Sequence, residues 1–365
     1  MSSISFPDQL PSRAWCIIHV VISHRFQVVF PRAADPCLPS EVFKFKINDN
    51  LYLDSPNIIY NEMRLTTRKG KKAIFMIRLI LDSTCDFDDE LKNRYKFDII
   101  PLSLTLNDKS YLDGIEVATS QVYAYMKENK VPKTSQISYD SLVKVVSGYI
   151  ENKEDFIFLT FSSMMSGTYD FAYNIVREYK EKHPEIRMEV IDSEGGSGGS
   201  SLIAIQIMRM IDKGLPYDSI IQNINFMKKH IHYHFTLSNI DWLAKGGRVN
   251  RSVGYIGDKL DIKPYLTIIN GKIELQKVVL GRKKSLKILV DDTIRDVGDF
   301  KNQIIIISHA DDLSSARAVE EKIKKALPEC RTFLFSIGSV LGAHIGLGGI
   351  GVFSLDEKPE DYQFI

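Results

Sequence analysis

The 365-residue sequence has few cysteines and no charge of one dominant sign. Cys16, Cys37, Cys85 and Cys330 lie far apart and form no CxxC pair, so neither a cysteine zinc motif nor a disulfide framework is indicated. The 47 Lys and Arg residues are balanced by 46 Asp and Glu residues, and this mixture does not provide the basic surface that nucleic acids need. We therefore expect a protein of the reducing cytoplasm that does not bind nucleic acid.

Long apolar runs are also absent. The stretch 15–30 is interrupted by His19, His24, Arg25 and Gln27, which is too soon for a membrane span or for the core of a signal peptide. We expect no integral membrane segment and no export signal. With 44% hydrophobic residues, the chain is long enough for more than one packed domain.

Residues 1–75 differ in pattern from the rest of the chain. Two apolar runs have strand character, but prolines follow closely and no helix of useful length is indicated, so we interpret this segment as an N-terminal extension. The basic run Arg68-Lys69-Gly70-Lys71-Lys72 fits a solvated linker. It also fits a translated purine-rich ribosome-binding site, in which case Met76 starts the native protein. A peptide from residues 1–60 in the mass spectrum of the native protein would exclude that hypothesis.

From Met76 onward, apolar runs alternate with segments of helical periodicity. This alternation predicts an α/β fold with a mainly parallel sheet and helices on its faces. We assign residues 76–235 to this first α/β domain. The predicted strands are 77–81, 99–106, 156–161 and 188–191, and the predicted helices are 142–150, 169–182 and 201–213.

A second α/β domain is predicted over residues 236–365. Its clearest signal is Asn270-Gly271 between two apolar runs, because both residues of a tight hairpin turn take positive φ. The sheet of this domain is therefore expected to be mixed and to contain a hairpin. The predicted elements are strands 265–269 and 272–280, helix 286–295, strand 304–307, helix 314–327 and strand 332–337.

Two turns are rich in hydroxyl groups. One is Thr134-Ser135-Gln136, and the other, at 162–169, joins a predicted buried strand to a helix. There the hydroxyls and the free N–H groups of the helix start can either bind an anion or cap the helix. A serine hydrolase built on Ser166 is poorly supported, because no G-x-S-x-G elbow surrounds it.

The turn Asp82-Ser83-Thr84-Cys85-Asp86 follows the first predicted strand. Short polar side chains at this place either cap a helix or line a site at the carboxyl end of a parallel strand. Capping is the interpretation that the sequence favours.

Two glycine-rich runs lack the residues that nucleotide-binding loops need. No Lys follows the run at 195–200, as a P-loop requires. The run at 346–351 matches G-x-G-x-x-G, but only fourteen residues follow it, too few for a dinucleotide-binding unit. We expect no cofactor.

Histidines occur in two informative places. His230, His232 and His234 alternate with apolar residues, so in a strand they would share one face. A metal site or a half-exposed strand would explain this spacing, but no Cys or Glu partner is evident, and we expect no metal. His344 lies in a glycine-dense turn where a ligand or another backbone can approach closely.

Taken in order, the motifs from Met76 to Phe353 resemble those of the DegV family. Any one of them is weak, but seven in register are strong. They are Asp82-Ser83-Thr84-Cys85-Asp86, Asp113-Gly114, Thr134-Ser135-Gln136, Ser166-Gly167-Thr168-Tyr169, Asp192-Ser193, Leu243-Ala244-Lys245-Gly246-Gly247-Arg248 and Gly342-Ala343-His344-Ile345-Gly346.

The resemblance implies a two-domain α/β fold and a non-enzymatic role. It implies a protein of phospholipid metabolism that binds a long-chain fatty acid as a subunit of a bacterial fatty acid kinase, in which a separate ATP-binding subunit phosphorylates the carboxylate to an acyl phosphate. By the same resemblance Thr134, Ser166 and His344 hold the carboxylate and Arg282 lies near it. Departures from the family pattern at Ser339, Ile345 and Leu347 and at 195–200 affect the shape of the head-group end. The alternative is a hydrolase or transferase that acts on a small carboxylated or phosphorylated substrate through Ser166 or His344.

Overall fold

The computed structural model divides the chain into two compact units, Met1–Phe75 and Met76–Ile365. It describes residues 77–248 and 261–364 in full, and before residue 68 the backbone of five strands. These strands pair antiparallel in chain order as one sheet. They are β1 (Cys16–Ile22), β2 (His24–Phe30), β3 (Phe43–Asn48), β4 (Leu51–Ser55) and β5 (Leu65–Thr67). The basic run at 68–72 and the predicted start at Met76 lie outside the described residues.

A four-stranded parallel sheet opens the second unit, with strand order β12-β11-β6-β7. Its strand β11 is buried along its whole length, as a continuous apolar run in a parallel sheet covered on both faces should be. The strands are β6 (Ile77–Asp82), β7 (Asp98–Ile100), β11 (Asp155–Thr160) and β12 (Met188–Asp192). Helices α1 (Asp89–Arg94), α3 (Tyr139–Glu151) and α4 (Thr168–Lys182) belong to the same part of the chain.

A separate three-stranded antiparallel sheet is formed by strands between residues 103 and 135, and it was not predicted. The prediction of one strand over 99–106 is wrong, because Pro101 separates β7 from β8 (Ser103–Leu106) and has no N–H for the ladder. Strand β8 pairs with β9 (Lys109–Leu112) and β10 (Lys133–Ser135). Helix α2 (Thr119–Lys127) lies between β9 and β10 in the chain.

The remaining strands form a six-stranded mixed sheet in the order β15-β14-β13-β18-β16-β17, with β16 and β17 parallel and the other pairs antiparallel. The predicted hairpin is confirmed, since Asn270 and Gly271 both have positive φ. The predicted α/β class, with one parallel and one mixed sheet, is confirmed. The strands are β13 (Ile231–Thr236), β14 (Ile262–Ile269), β15 (Lys272–Leu280), β16 (Ile304–His309), β17 (Arg331–Ser336) and β18 (Ile350–Leu355). The helices are α5 (Ser197–Asp212), α6 (Tyr217–His230), α7 (Asp241–Gly246), α8 (Arg282–Val297), α9 (Leu313–Ala326) and α10 (Ser339–Ile345).

Helix α5 packs between the parallel and the mixed sheet, in one apolar core with side chains of both. The glycine run at 195–200 makes this packing possible, because a Cβ at Gly198 would collide with Phe353 and one at Gly199 with Tyr233. Glycine is therefore needed here for close approach and not for a phosphate. The predicted domain boundary at 235/236 falls at the end of β13, the first strand of the mixed sheet, and we retain the two-domain division as a proposal.

Within the described residues, no helix is both long and apolar enough to cross a membrane.

Candidate functional site

Three of the four predicted site residues line one cavity. Thr134 lies on β10, Ser166 on the turn between β11 and α4, and His344 on α10. The empty space between the lining residues, counted together with its open mouth, is about 810 Å³. Residues separated by as many as 210 positions are thus brought to one place.

A hydrogen bond joins two of these residues. Thr134 Oγ1 lies 2.7 Å from His344 Nε2, whereas no described residue bonds to His344 Nδ1. Burial, assisted by the positive charge of Arg248, lowers the pKa of His344 to about 4. The imidazole is therefore neutral at pH 7 before a ligand binds, and can donate or accept through Nε2.

Ser166 is placed by the backbone of its own turn. Its Oγ lies 3.0 Å from Thr168 Oγ1 and accepts a hydrogen bond from the N–H of Thr168 at 3.3 Å. The next residue, Gly167, packs so closely on Gln136 that a Cβ there would overlap the Gln136 amide oxygen. This contact places the two predicted hydroxyl turns side by side.

Most of the remaining cavity wall is apolar. It is formed by the two hydroxyl turns, the start of α5, the β14–β15 hairpin, α7 and α10, and strands β13 and β18. An apolar wall with a few polar groups at one place is typical of a site for an amphipathic small molecule. The apolar side chains are Leu102, Phe161, Met165, Phe235, Leu243, Ile268, Ile273, Ile337, Val340, Leu341, Ile345, Ile350 and Phe353.

Arg282, the fourth predicted residue, is not among the residues that line the cavity. Its Nη2 donates to Asp312 at 3.1 Å and to the carbonyl of Gly348 at 2.5 Å, so it joins α8 to two neighbouring loops. Arg248 lines the cavity instead and donates to the carbonyl of Met165 at 3.3 Å. Arg248 belongs to one of the seven motifs, but nothing in its spacing along the sequence assigned it to the site.

The hydrogen bonds at the site do not form a catalytic triad. Ser166 bonds to Thr168 and His344 bonds to Thr134, and no hydrogen bond joins Ser166 to His344. Among the described residues, no carboxylate bonds to His344 Nδ1 to orient the ring, as a triad requires. Ser166 and His344 are therefore not arranged as the nucleophile and base of a triad in this structure.

The capping role favoured for the turn at 82–86 is wrong. Asp88 caps α1, whereas Asp82 accepts from the N–H of Phe161 at 2.6 Å and Asp86 accepts from the N–H of Gly338 at 2.9 Å. The Asp86 carboxylate also accepts from the Ser197 hydroxyl. These two buried carboxylates therefore hold the start of the turn that carries Ser166 and the start of α10, the helix that carries His344.

Comparison with known proteins identifies the family. A family model described as uncharacterised proteins of the DegV family matches residues 76–357. The chain belongs to the DegV family. A DegV-domain protein of Clostridium perfringens is 28% identical over 285 residues, which cover 77% of this chain and 98% of the relative.

Solved structures of the same family share the fold. A DegV lipid-binding protein of Thermotoga maritima is 28% identical, with a TM-score of 0.68 over 77% of this chain and 99% of that one. A second Thermotoga maritima protein, described as revealing a fatty-acid-binding function, is 27% identical with a TM-score of 0.65 over 77% and 99%. The Streptococcus pneumoniae fatty acid kinase B3 protein, loaded with linoleic acid, is 20% identical with a TM-score of 0.69 over 77% and 100%.

Proposed function

We propose that this protein binds a long-chain fatty acid, with the carboxylate at Thr134, Ser166 and His344 and the acyl chain in the apolar cavity. The observation that carries the proposal is that these three polar side chains all line one cavity whose wall is largely apolar. The two Thermotoga maritima relatives described as binding lipid or fatty acid support the same ligand class.

The polar end satisfies the needs of a carboxylate. A buried carboxylate is costly unless it accepts hydrogen bonds or meets a positive charge. The two hydroxyls and the His344 imidazole are donors, and Arg248 at the cavity wall supplies positive charge. Arg282 was predicted to help in this role. Because Arg282 is paired with the Asp312 carboxylate and does not line the cavity, we assign the charge at the head group to Arg248.

The apolar wall supplies most of the affinity. Each methylene transferred from water contributes about 0.8 kcal/mol, which corresponds to roughly a fourfold gain in affinity. An acyl chain of the usual length therefore contributes on the order of 10 kcal/mol before the entropy of binding is subtracted. The tail thus sets the affinity and the polar end sets the orientation.

We further propose that the bound carboxylate is presented to a separate ATP-binding kinase subunit, which phosphorylates it to an acyl phosphate. The order of the seven motifs supports this role, and the pneumococcal fatty acid kinase B3 protein has the same fold. The glycine run at 195–200 packs against apolar side chains rather than forming a P-loop, consistent with ATP bound by a partner. We place the protein in the cytoplasm and in phospholipid metabolism, without a nucleic-acid partner.

Removal of the two hydroxyls tests the ligand site. The double variant Thr134→Ala with Ser166→Ala, delipidated and titrated with oleate, should bind at least tenfold more weakly than the wild type, since each hydrogen bond to a charged group contributes about 1.5–3 kcal/mol. The matched control is Thr105→Ala with Ser110→Ala, two paired positions of the same small sheet that do not line the cavity.

Equal affinity of the two double variants would refute the carboxylate site. Native mass spectrometry of the wild type, purified without detergent, should show a bound fatty acid. Its consistent absence together with ester turnover would favour the hydrolase alternative. Mixing the loaded protein with a fatty acid kinase ATP-binding subunit and measuring acyl phosphate tests the kinase role separately.

A further inference from the structure

The mixed sheet carries a second cluster of polar side chains, on the face of β13 that α8 covers. His232 and His234 stand two residues apart on this strand, and Asp296 lies in the last turn of α8. Because side chains alternate along a strand, the intervening Tyr233 and Phe235 point the other way, toward α5 and the cavity. His230, predicted on the same strand face, is the last residue of α6 instead.

The three side chains approach one another at the distances of metal ligands. His232 Nδ1 lies 3.3 Å and His234 Nε2 lies 2.9 Å from the same oxygen, Asp296 Oδ2. The three ligand atoms all lie within 4.8 Å of one another. Ligands about 2.0–2.1 Å from a tetrahedral Zn²⁺ sit roughly 3.3 Å apart, so small side-chain rotations suffice to bind an ion.

His234 supplies an independent observation that points to a ligand. Its side chain is only 8% exposed, and its Nε2 lies 2.9 Å from Asp296 Oδ2 in an ion-pair contact that lacks the alignment of a hydrogen bond. A buried polar atom normally has a partner. In a metal site the nitrogen lone pair points at the ion and not along the line to the next ligand, so a short N···O distance without hydrogen-bond geometry is expected there.

The other ring nitrogens are held as in metal sites. His232 Nε2 lies 2.9 Å from Asp356 Oδ2, and His234 Nδ1 lies 2.9 Å from the Tyr265 hydroxyl. Metal-binding histidines usually make such an outer hydrogen bond, which fixes the ring and the tautomer. Arg295 donates to both carboxylate oxygens of Asp296, from Nε to Oδ1 at 2.7 Å and from Nη2 to Oδ2 at 3.1 Å. A cation at Oδ2 therefore has to displace the Arg295 guanidinium, whose side chain is 63% exposed and so has room to move into solvent.

We propose that His232 Nδ1, His234 Nε2 and Asp296 Oδ2 bind a divalent cation of the Zn²⁺ class. Two imidazoles and one carboxylate suit a borderline metal and not Ca²⁺ or Mg²⁺, which prefer oxygen ligands. His232 is 32% exposed, so a water molecule has access to the fourth position. The ion links α8 to β13, and because the three ligands come together only in the folded chain, binding stabilises the fold by mass action.

Titration of the chelator-treated full chain with ZnCl₂ tests this site. One Zn²⁺ should bind per chain, and the double variant His232→Gln with Asp296→Asn should bind more than about 100-fold more weakly. The control His230→Gln with Asp291→Asn should bind like the wild type, because neither residue belongs to the cluster. Tyr265→Phe, which removes only an outer hydrogen bond, should lower affinity by about 10–100-fold.

A wild-type chain that binds no Zn²⁺, or a His232/Asp296 double variant that retains full affinity, would overturn the proposal. The wild-type protein provides a readout that does not depend on a variant's folding. Zn²⁺ should shift the imidazole resonances of His232 and His234 in NMR spectra and leave those of His183 and His309 in place, and shifts confined to other histidines would refute the site. Co²⁺ should give the visible absorption of a four-coordinate ion, and a six-coordinate spectrum would also refute it.

Discussion

The substitution Asp86→Asn should alter the pH dependence of stability in a specific direction. Asp86 is 2% exposed, and its carboxylate accepts hydrogen bonds from Gly338 and Ser197. Burial raises the pKa of Asp86 to about 6, although these hydrogen bonds oppose the rise. Asn keeps one acceptor oxygen and a similar volume but has no charge at any pH.

The sign and size of the effect follow from proton linkage. The pKa of Asp86 is about 6 in the folded protein, against about 3.9 in an unfolded chain. Between these values the folded state holds a proton that unfolding releases, so the stability contributed by this group is complete below about pH 4 and is lost as the pH rises through about 6. Since each pH unit between the two values is worth about 1.4 kcal/mol, the loss is about 3 kcal/mol.

Urea denaturation followed by circular dichroism, at constant ionic strength between about pH 4 and about pH 7.5, measures this contribution. The free energy of unfolding of Asp86→Asn, relative to wild type, should rise by about 3 kcal/mol across that range. Asp89→Asn, at an exposed carboxylate on α1, is the matched control for the change from Asp to Asn, and the rise for Asp86→Asn is measured against it. If the difference in the free energy of unfolding between Asp86→Asn and wild type does not change with pH, the reasoning is refuted, because burial of the Asp86 charge would then cost no stability.

Three further predictions concern the cavity and the packing around it. Arg248→Gln should weaken oleate binding by about tenfold, as expected for loss of one charged contact. Arg282→Gln should lower the melting temperature and leave the affinity for oleate within about twofold. If the titration shows the opposite pattern, the carboxylate binds near Arg282 and not near Arg248. Gly199→Ala should destabilise the protein by about 1–3 kcal/mol, because the added Cβ meets Tyr233. Gly148→Ala, which has open space around it in α3, should instead stabilise the protein by about 0.5–1 kcal/mol. Equal changes in the free energy of unfolding in urea would contradict this packing. Affinity should rise by roughly fourfold per methylene from lauric to palmitic acid, and a flat series would exclude an apolar tail site.

The sequence predicted the secondary structure where local chemistry decides it. The Asn270-Gly271 turn lies where predicted, because positive φ at two successive positions admits few other residues. The strand over 99–106 was predicted as one element because apolar residues recur along its whole length, but the backbone constraint of Pro101 divides it into β7 and β8. Periodicity therefore predicts that a segment is extended, but a single proline, which has no N–H for the ladder, can divide that segment into two strands.

The site was predicted in part, and the missing part depends on contacts between distant residues. Thr134, Ser166 and His344 were predicted from the resemblance to the DegV family, and all three line one cavity; their role toward a carboxylate stays a prediction. The bond between Asp86 and Gly338 joins residues 252 positions apart, and no local pattern distinguishes such a carboxylate from a helix cap. Likewise Asp296, which completes the cluster with His232 and His234, lies on a different element from the histidines.

Strand β13 connects the two proposed sites through the alternation of its side chains. Phe235 contributes to the wall of the cavity, while His232 and His234 face α8 on the opposite side of the same sheet. A histidine on such a face is half-buried, and burying it without a partner costs free energy. The hydrogen bonds of His234 Nδ1 with the Tyr265 hydroxyl and of His232 Nε2 with Asp356 offset part of this cost. The strand can therefore present an apolar residue to the cavity and still carry two imidazoles, because each face has its own set of partners.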